Sequence, residues 1–176
     1  MRALFLAGLF GAALAAWPMT RLAAASSAEG ESNLATLVAH AELISEVQVL
    51  EAQGFQLPDG RIETRYSLGT VTPLKGAQAS IQELRMPGGE VAGRGLVLPG
   101  LPRFHAGQRL VLFLTAPTAT RAWRVPVGLG AGAFEVLTDH VSGASRVLPL
   151  DSSADRLPLS HDDFLADILA EVQRQH

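Results

Sequence analysis

Gly and Pro interrupt the chain between residues 43 and 150 so regularly that its apolar residues are left as short runs of β type. Leu43 to Leu50 is rich in Val, Ile and Leu and predicts a strand, with Ile44, Val47 and Val49 on it. Pro58-Asp59-Gly60 predicts a turn, because Pro presets φ and Gly accepts a positive one. Ile62, Tyr66 and Leu68 then mark a return strand, alternating with polar residues as far as Pro73-Leu74-Lys75-Gly76. Further strands are expected over Ser80–Met86, Arg109–Thr115, Trp123–Leu129, Ala133–Leu137 and Arg146–Leu150. Arg109–Thr115 is almost continuously apolar, the profile of a strand buried on both faces. Residues 87–107 read mostly as loop, with a short apolar piece at Leu96 to Leu98. The fold class expected is mainly β: a small barrel or sandwich of six or seven strands.

A helix is expected at each end of this β region. Leu34, Leu37, Val38 and Ala41 recur at helical spacing over about residues 33–40. Near the C-terminus, Ser160 stands at a capping position and Asp162 and Asp163 at the positive end of the helix dipole. Phe164, Leu165, Ile168, Leu169 and Val172 follow as one apolar stripe that should dock on the β core. The expected organisation is a signal segment over 1–25, a leader over 26–32, a β domain over 33–150, and a linker with the C-terminal helix over 151–176.

The signal expectation rests on the first residues. Arg2 is followed by an unbroken run of Ala, Leu, Phe and Gly from Ala3 to Ala16, and small residues lead to Ala25 and Ser26. A positive start, a short apolar core and an A-x-A-like site form the pattern of a secretory signal, cleaved here between Ala25 and Ser26. The run is shorter than a membrane span requires, so no stable anchor is expected after cleavage. Export to the periplasm or the exterior of a bacterium follows as the expectation.

Composition excludes several chemistries. The chain has no cysteine, so it has no disulfide, thiol nucleophile, Cys-ligated zinc or N-terminal lipid anchor. Its cations are scattered singly around a net charge of −3, without the basic stripe that nucleic acid or an anionic membrane selects. The five His lie far apart in sequence, without the one-turn spacing of a zinc hydrolase, so no metal and no cofactor are expected. Gly143-Ala144-Ser145-Arg146-Val147 lacks the second Gly of a nucleophile elbow, and Thr72 stands where a Ser–Lys dyad with Lys75 would need Ser. Gly128-Leu129-Gly130-Ala131-Gly132 precedes an extended segment, not the helix that a phosphate loop needs, and reads as a bulge or tight bend.

Leu74-Lys75-Gly76, Gly88-Gly89-Glu90-Val91, PGLPRFHAGQRLVLFL over 99–114 and GLGAGAFEV over 128–136 come in an order and spacing that together carry a resemblance. The chain resembles a group of exported bacterial β-domain proteins, without an assigned activity, that share LKG, GGEV, PGxPxFxxGxxxxxFL and GLxxGxFxV blocks. Its layout is also similar to that of the OB-like barrels of netrin-type domains, although those normally carry disulfides. The resemblance covers about residues 34–150 and transfers no catalytic residue.

Gly88, Gly89, Glu90, Arg103, Phe104 and His105 form the candidate binding surface, because Arg and aromatic residues on a stiff loop are common interface anchors. The competing reading of this loop has Phe104 plugging the end of the core and the prolines stiffening a crossover. The function expected is an exported, non-enzymatic domain that recognises another envelope or secreted protein. The alternatives are a hydrolase whose acids and histidines meet only in the fold, and a small-ligand carrier using a barrel mouth.

Overall fold

An antiparallel strand with apolar residues at every position buries both of its faces, and Arg109–Leu114 does this: Leu110 through Leu114 are all withdrawn from solvent. The computed structural model describes residues 33–76, 81–151 and 158–175. They form a helix α1 over 33–40, then β1 (Leu43–Gln56), β2 (Ile62–Lys75), β3 (Glu83–Pro87), β4 (Gly89–Val91), β5 (Arg94–Leu96) and β6 (Arg109–Leu114). After a 3₁₀ turn at Leu129–Gly132 come β7 (Ala133–Thr138), β8 (Ser145–Pro149), β9 (Leu159–Ser160) and α2 (His161–Arg174). The expected cleavage site at Ala25 and Ser26 and the segments on either side of it lie outside the described residues.

Seven strands make one antiparallel sheet in the order β3-β2-β1-β6-β7-β8-β9, and β4 pairs with β5 in a separate hairpin. The sheet is open, because β3 and β9 are its two edges and do not pair with each other. The barrel alternative is therefore corrected: closure needs the first and last strands to meet. Instead of closing, the sheet buries two layers of side chains. On one face Ile44, Val111, Phe113, Phe134, Val136 and Val147 pack against Leu37 and Val38 of α1 and Phe164 and Ile168 of α2. On the other, Leu43, Val47, Val49, Tyr66, Leu84, Met86, Leu110, Leu112 and Leu114 pack against Phe104 of the 97–108 loop. Alternate residues of β6 serve the two layers, which explains why its sequence has no polar face. Phe164 is the main contact of α2, its ring centroid 4.9 Å from that of Phe134 and 6.4 Å from that of Phe113.

The β1–β2 hairpin is longer than the sequence suggests. It runs to Gln56 and Lys75, with register shifts at Ile44/Ser45, Glu46/Val47 and Val49/Glu51 that break the alternation a reader looks for. Pro73 does not end β2, because β3 pairs only with Glu63–Ser67 and leaves the outer side of β2 unpaired at that point. Trp123–Leu129 is not a strand; only Pro126 bridges to Leu114, and the segment straps the outer edge of β3 through Arg124 N–H to the Arg85 carbonyl (3.0 Å).

Candidate functional site

The structure divides the six residues of the expected surface. Gly88 and Gly89 are buried, Glu90, Arg103 and His105 are exposed, and Phe104 is 2% exposed. Phe104 belongs to the core and not to the surface, as the competing reading of this loop has it: its ring lies 5.2 Å from that of Tyr66, filling the layer beneath the loop. Gly88, Gly89 and Arg103 meet at one shallow depression floored by Tyr66 and Met86 and rimmed by Leu96 and Leu98. It has room for about one water molecule. Burial pushes the Tyr66 hydroxyl above its ordinary value, against hydrogen bonds to the Phe104 backbone and Thr64 and the charge of Arg103. His105 stands apart, its backbone N–H donating to Gln108 Oε1 (2.8 Å).

The two glycines are there for close approach. A Cβ on Gly89 would lie 2.1 Å from Thr64 Oγ1, and its φ is +123°, a region that L side chains avoid. Facing it on β1, a Cβ on Gly54 would lie 2.0 Å from the Glu90 carbonyl oxygen. Together they let β4 lie flat across the distal half of the β1–β2 hairpin. Ala92 and Gly93 turn the chain with φ of 49° and 75°, the tight two-residue turn that suits a right-twisted hairpin.

What this hairpin presents is apolar and cationic. Leu96 is 38% and Val97 70% exposed. Arg94 has no carboxylate partner among the described residues, and Arg103 has only the Leu96 carbonyl, at 3.4 Å. By contrast, Arg61, Arg65, Arg85, Arg109, Arg121, Arg124 and Arg174 all face a carboxylate.

The acids and histidines converge elsewhere, beneath α2. Glu46, in the middle of β1, is 0% exposed. Its Oε2 accepts a hydrogen bond from Thr72 Oγ1 (2.8 Å), and its Oε1 lies 3.0 Å from His161 Nε2 and 2.6 Å from Arg109 Nε. The Arg109 contact is an ion pair whose N–H does not line up on the oxygen. His161 Nδ1 in turn faces Asp162 Oδ1 at 2.9 Å; donation from both ring nitrogens needs a proton on each. Both carboxylate oxygens and both ring nitrogens are thus engaged within the cluster. Its geometry is that of a clamp joining β1, β2, β6 and α2.

A second buried carboxylate, Glu63, accepts from Arg65 Nε (2.7 Å) and Trp123 Nε1 (2.8 Å). Burial pushes its carboxyl up, but these two bonds and the charges of Arg65 and Arg85 outweigh that and hold it below its ordinary value. It anchors the 123–126 strap to β2. Neither Glu46 nor Glu63 is marked by a motif, and each stands among other polar residues of its strand, so nothing local separates it from an exposed acid. No group of three or more His, Asp or Glu among the described residues is placed to hold a metal ion. No described helix is long and apolar enough to cross a membrane.

Comparison with known protein families, with curated proteins and with solved structures finds no match.

Proposed function

We propose that this chain is an exported, non-enzymatic binding domain that recognises another envelope or secreted protein, and that it does so through the surface carried by residues 94–103. The observation that supports the reading most is the exposed apolar pair Leu96 and Val97, flanked by Arg94 and Arg103, two arginines that no carboxylate of the described chain neutralises. Exposed apolar side chains beside unpaired Arg on a rigid support are the composition of an interface anchor. Export rests on the N-terminal pattern of Arg2, the Ala3–Ala16 run and Ala25-Ser26. The carrier alternative would need a barrel mouth, which an open sheet does not form, and the hydrolase alternative would need the His161 cluster to face a cleft.

The test is affinity capture from envelope and culture fluid of the source organism with the tagged full chain, beside its Arg103→Ala variant. A partner recovered in stoichiometric amount with the parent chain and lost with R103A, while the variant stays folded, is the expected result. Equal recovery by both chains, or no partner with either after cross-linking, overturns it.

A further inference from the structure

The β4–β5 hairpin leaves one backbone edge open. Val91 pairs with Arg94 across the two-residue turn, Glu90 with Gly95, and Gly89 with Leu96. In such a hairpin the pair next to the turn exchanges both hydrogen bonds and the following pair does not, so the N–H and C=O groups of Glu90 and Gly95 point away from each other's strand. On the Glu90 side that direction is occupied: its carbonyl oxygen abuts Gly54 of β1. On the Gly95 side no described residue pairs with it. Gly95 is exposed, and a Cβ built on it would approach nothing closer than the Gly89 carbonyl oxygen at 3.9 Å. Val97, one step further along the same edge, is 70% exposed.

Natural sheets protect an edge with charge or by keeping it short, and β5 is short. What protection does not account for is the pair of apolar side chains, Leu96 and Val97, displayed beside it. The charges at this edge are of one sign on the face that matters. Arg94 and Leu96 project to one face of the hairpin, and Glu90, cross-strand from Gly95, projects to the other. Arg103 stands on the other side of β5, at the Leu96 carbonyl, which this register turns toward β4.

Resting on the binding-domain reading above, we propose that the partner adds an extended segment to the outer edge of β5, pairing with the backbone of Gly95 and Val97. That segment carries an apolar side chain and a carboxylate on the face of Leu96 and Arg94, and an apolar side chain on the face of Val97. Main-chain hydrogen bonds supply the affinity and the Arg94 guanidinium selects an acidic flank.

A displayed library of random linear peptides, panned on the full chain and on its Arg94→Glu variant, tests this. The parent chain selects peptides that combine Asp or Glu with β-branched or aromatic residues, and the charge-reversed chain binds the same peptides at least about tenfold more weakly. The best binder shifts and protects the backbone amides of Gly95 and Val97 in the ¹⁵N spectrum of the full chain. Selection without acidic enrichment, undiminished binding by the charge-reversed chain, or amide shifts centred away from residues 94–97 overturns strand addition. If strand addition fails while capture of the native partner still depends on Arg103, the mode is wrong and the binding domain stands. If capture is independent of Arg103 as well, both readings fall.

Discussion

Glu46 Oε1 lies 3.0 Å from His161 Nε2, and this one contact ties the middle of a buried strand to the first residue of a helix 115 positions later. The hydrophobic stripe of α2 would tolerate small slides along the sheet; a buried carboxylate with fixed partners does not. The polar cluster therefore sets where the helix sits, and Phe164 and Ile168 supply most of the burial, roughly 1.5–3 kcal/mol for each side chain.

Glu46→Ala removes the shared partner of Arg109, Thr72 and His161 and is expected to destabilise by about 1–3 kcal/mol, read from urea denaturation. A double-mutant cycle with His161→Ala should return a coupling of about 0.5–3 kcal/mol. Additive effects would mean that the two side chains do not interact.

Phe164→Ala removes the ring that packs on Phe134 and Phe113 and is expected to destabilise by about 3–5 kcal/mol. Val141→Ala, at a side chain 98% exposed, should stay within about 0.5 kcal/mol of the parent.

Stability should fall on the acid side. Glu63 is held below its ordinary value near 4.5 by the balance already described. Asp59 is lowered through the Arg61 backbone N–H, and Asp139 through those of Val141 and Ser142. A carboxyl whose folded value is depressed contributes fully above its unfolded value, and the contribution disappears as pH falls through the folded one. Denaturation midpoints should therefore drop as pH is lowered from about 5. Glu63→Gln should flatten part of that slope; an unchanged slope would show that Glu63 does not take part.

Gly89→Ala forces a Cβ onto Thr64 Oγ1 at a φ of +123°. The β4–β5 hairpin should lift from β1 and β2, with faster amide exchange at residues 89–97 and little change in β6. Protection retained across the hairpin would contradict its dependence on close backbone approach.

Much of this architecture is legible from residue types. The apolar run at Leu110–Leu114, the turn at Pro58-Asp59-Gly60 and the stripe of α2 each announce one geometry, and each adopts it. The β4–β5 hairpin is hidden because its turn uses Ala92, which rarely takes a positive φ, and Gly there reads as loop. β9 is only two residues long and carries no period. Trp123–Leu129 misleads because its apolar residues serve a strap and a polar anchor, with Trp123 placed by its N–H to Glu63. Among the candidate surface residues, Arg103 is exposed, whereas Phe104 packs inward on Tyr66 as an apolar residue at a loop–strand junction is expected to. The Glu46–His161 contact is invisible in sequence because nothing local links positions so far apart.

The most direct measurement replaces Val97 with a photoreactive side chain in the full chain, expressed in the source organism, with the same replacement at Val141 for comparison. Both positions are exposed, at 70% and 98%. A discrete adduct with one envelope or secreted protein from position 97, and none from position 141, is the predicted result. No adduct at position 97, or the same products from both positions, would contradict the assignment of residues 94–103 as the binding surface.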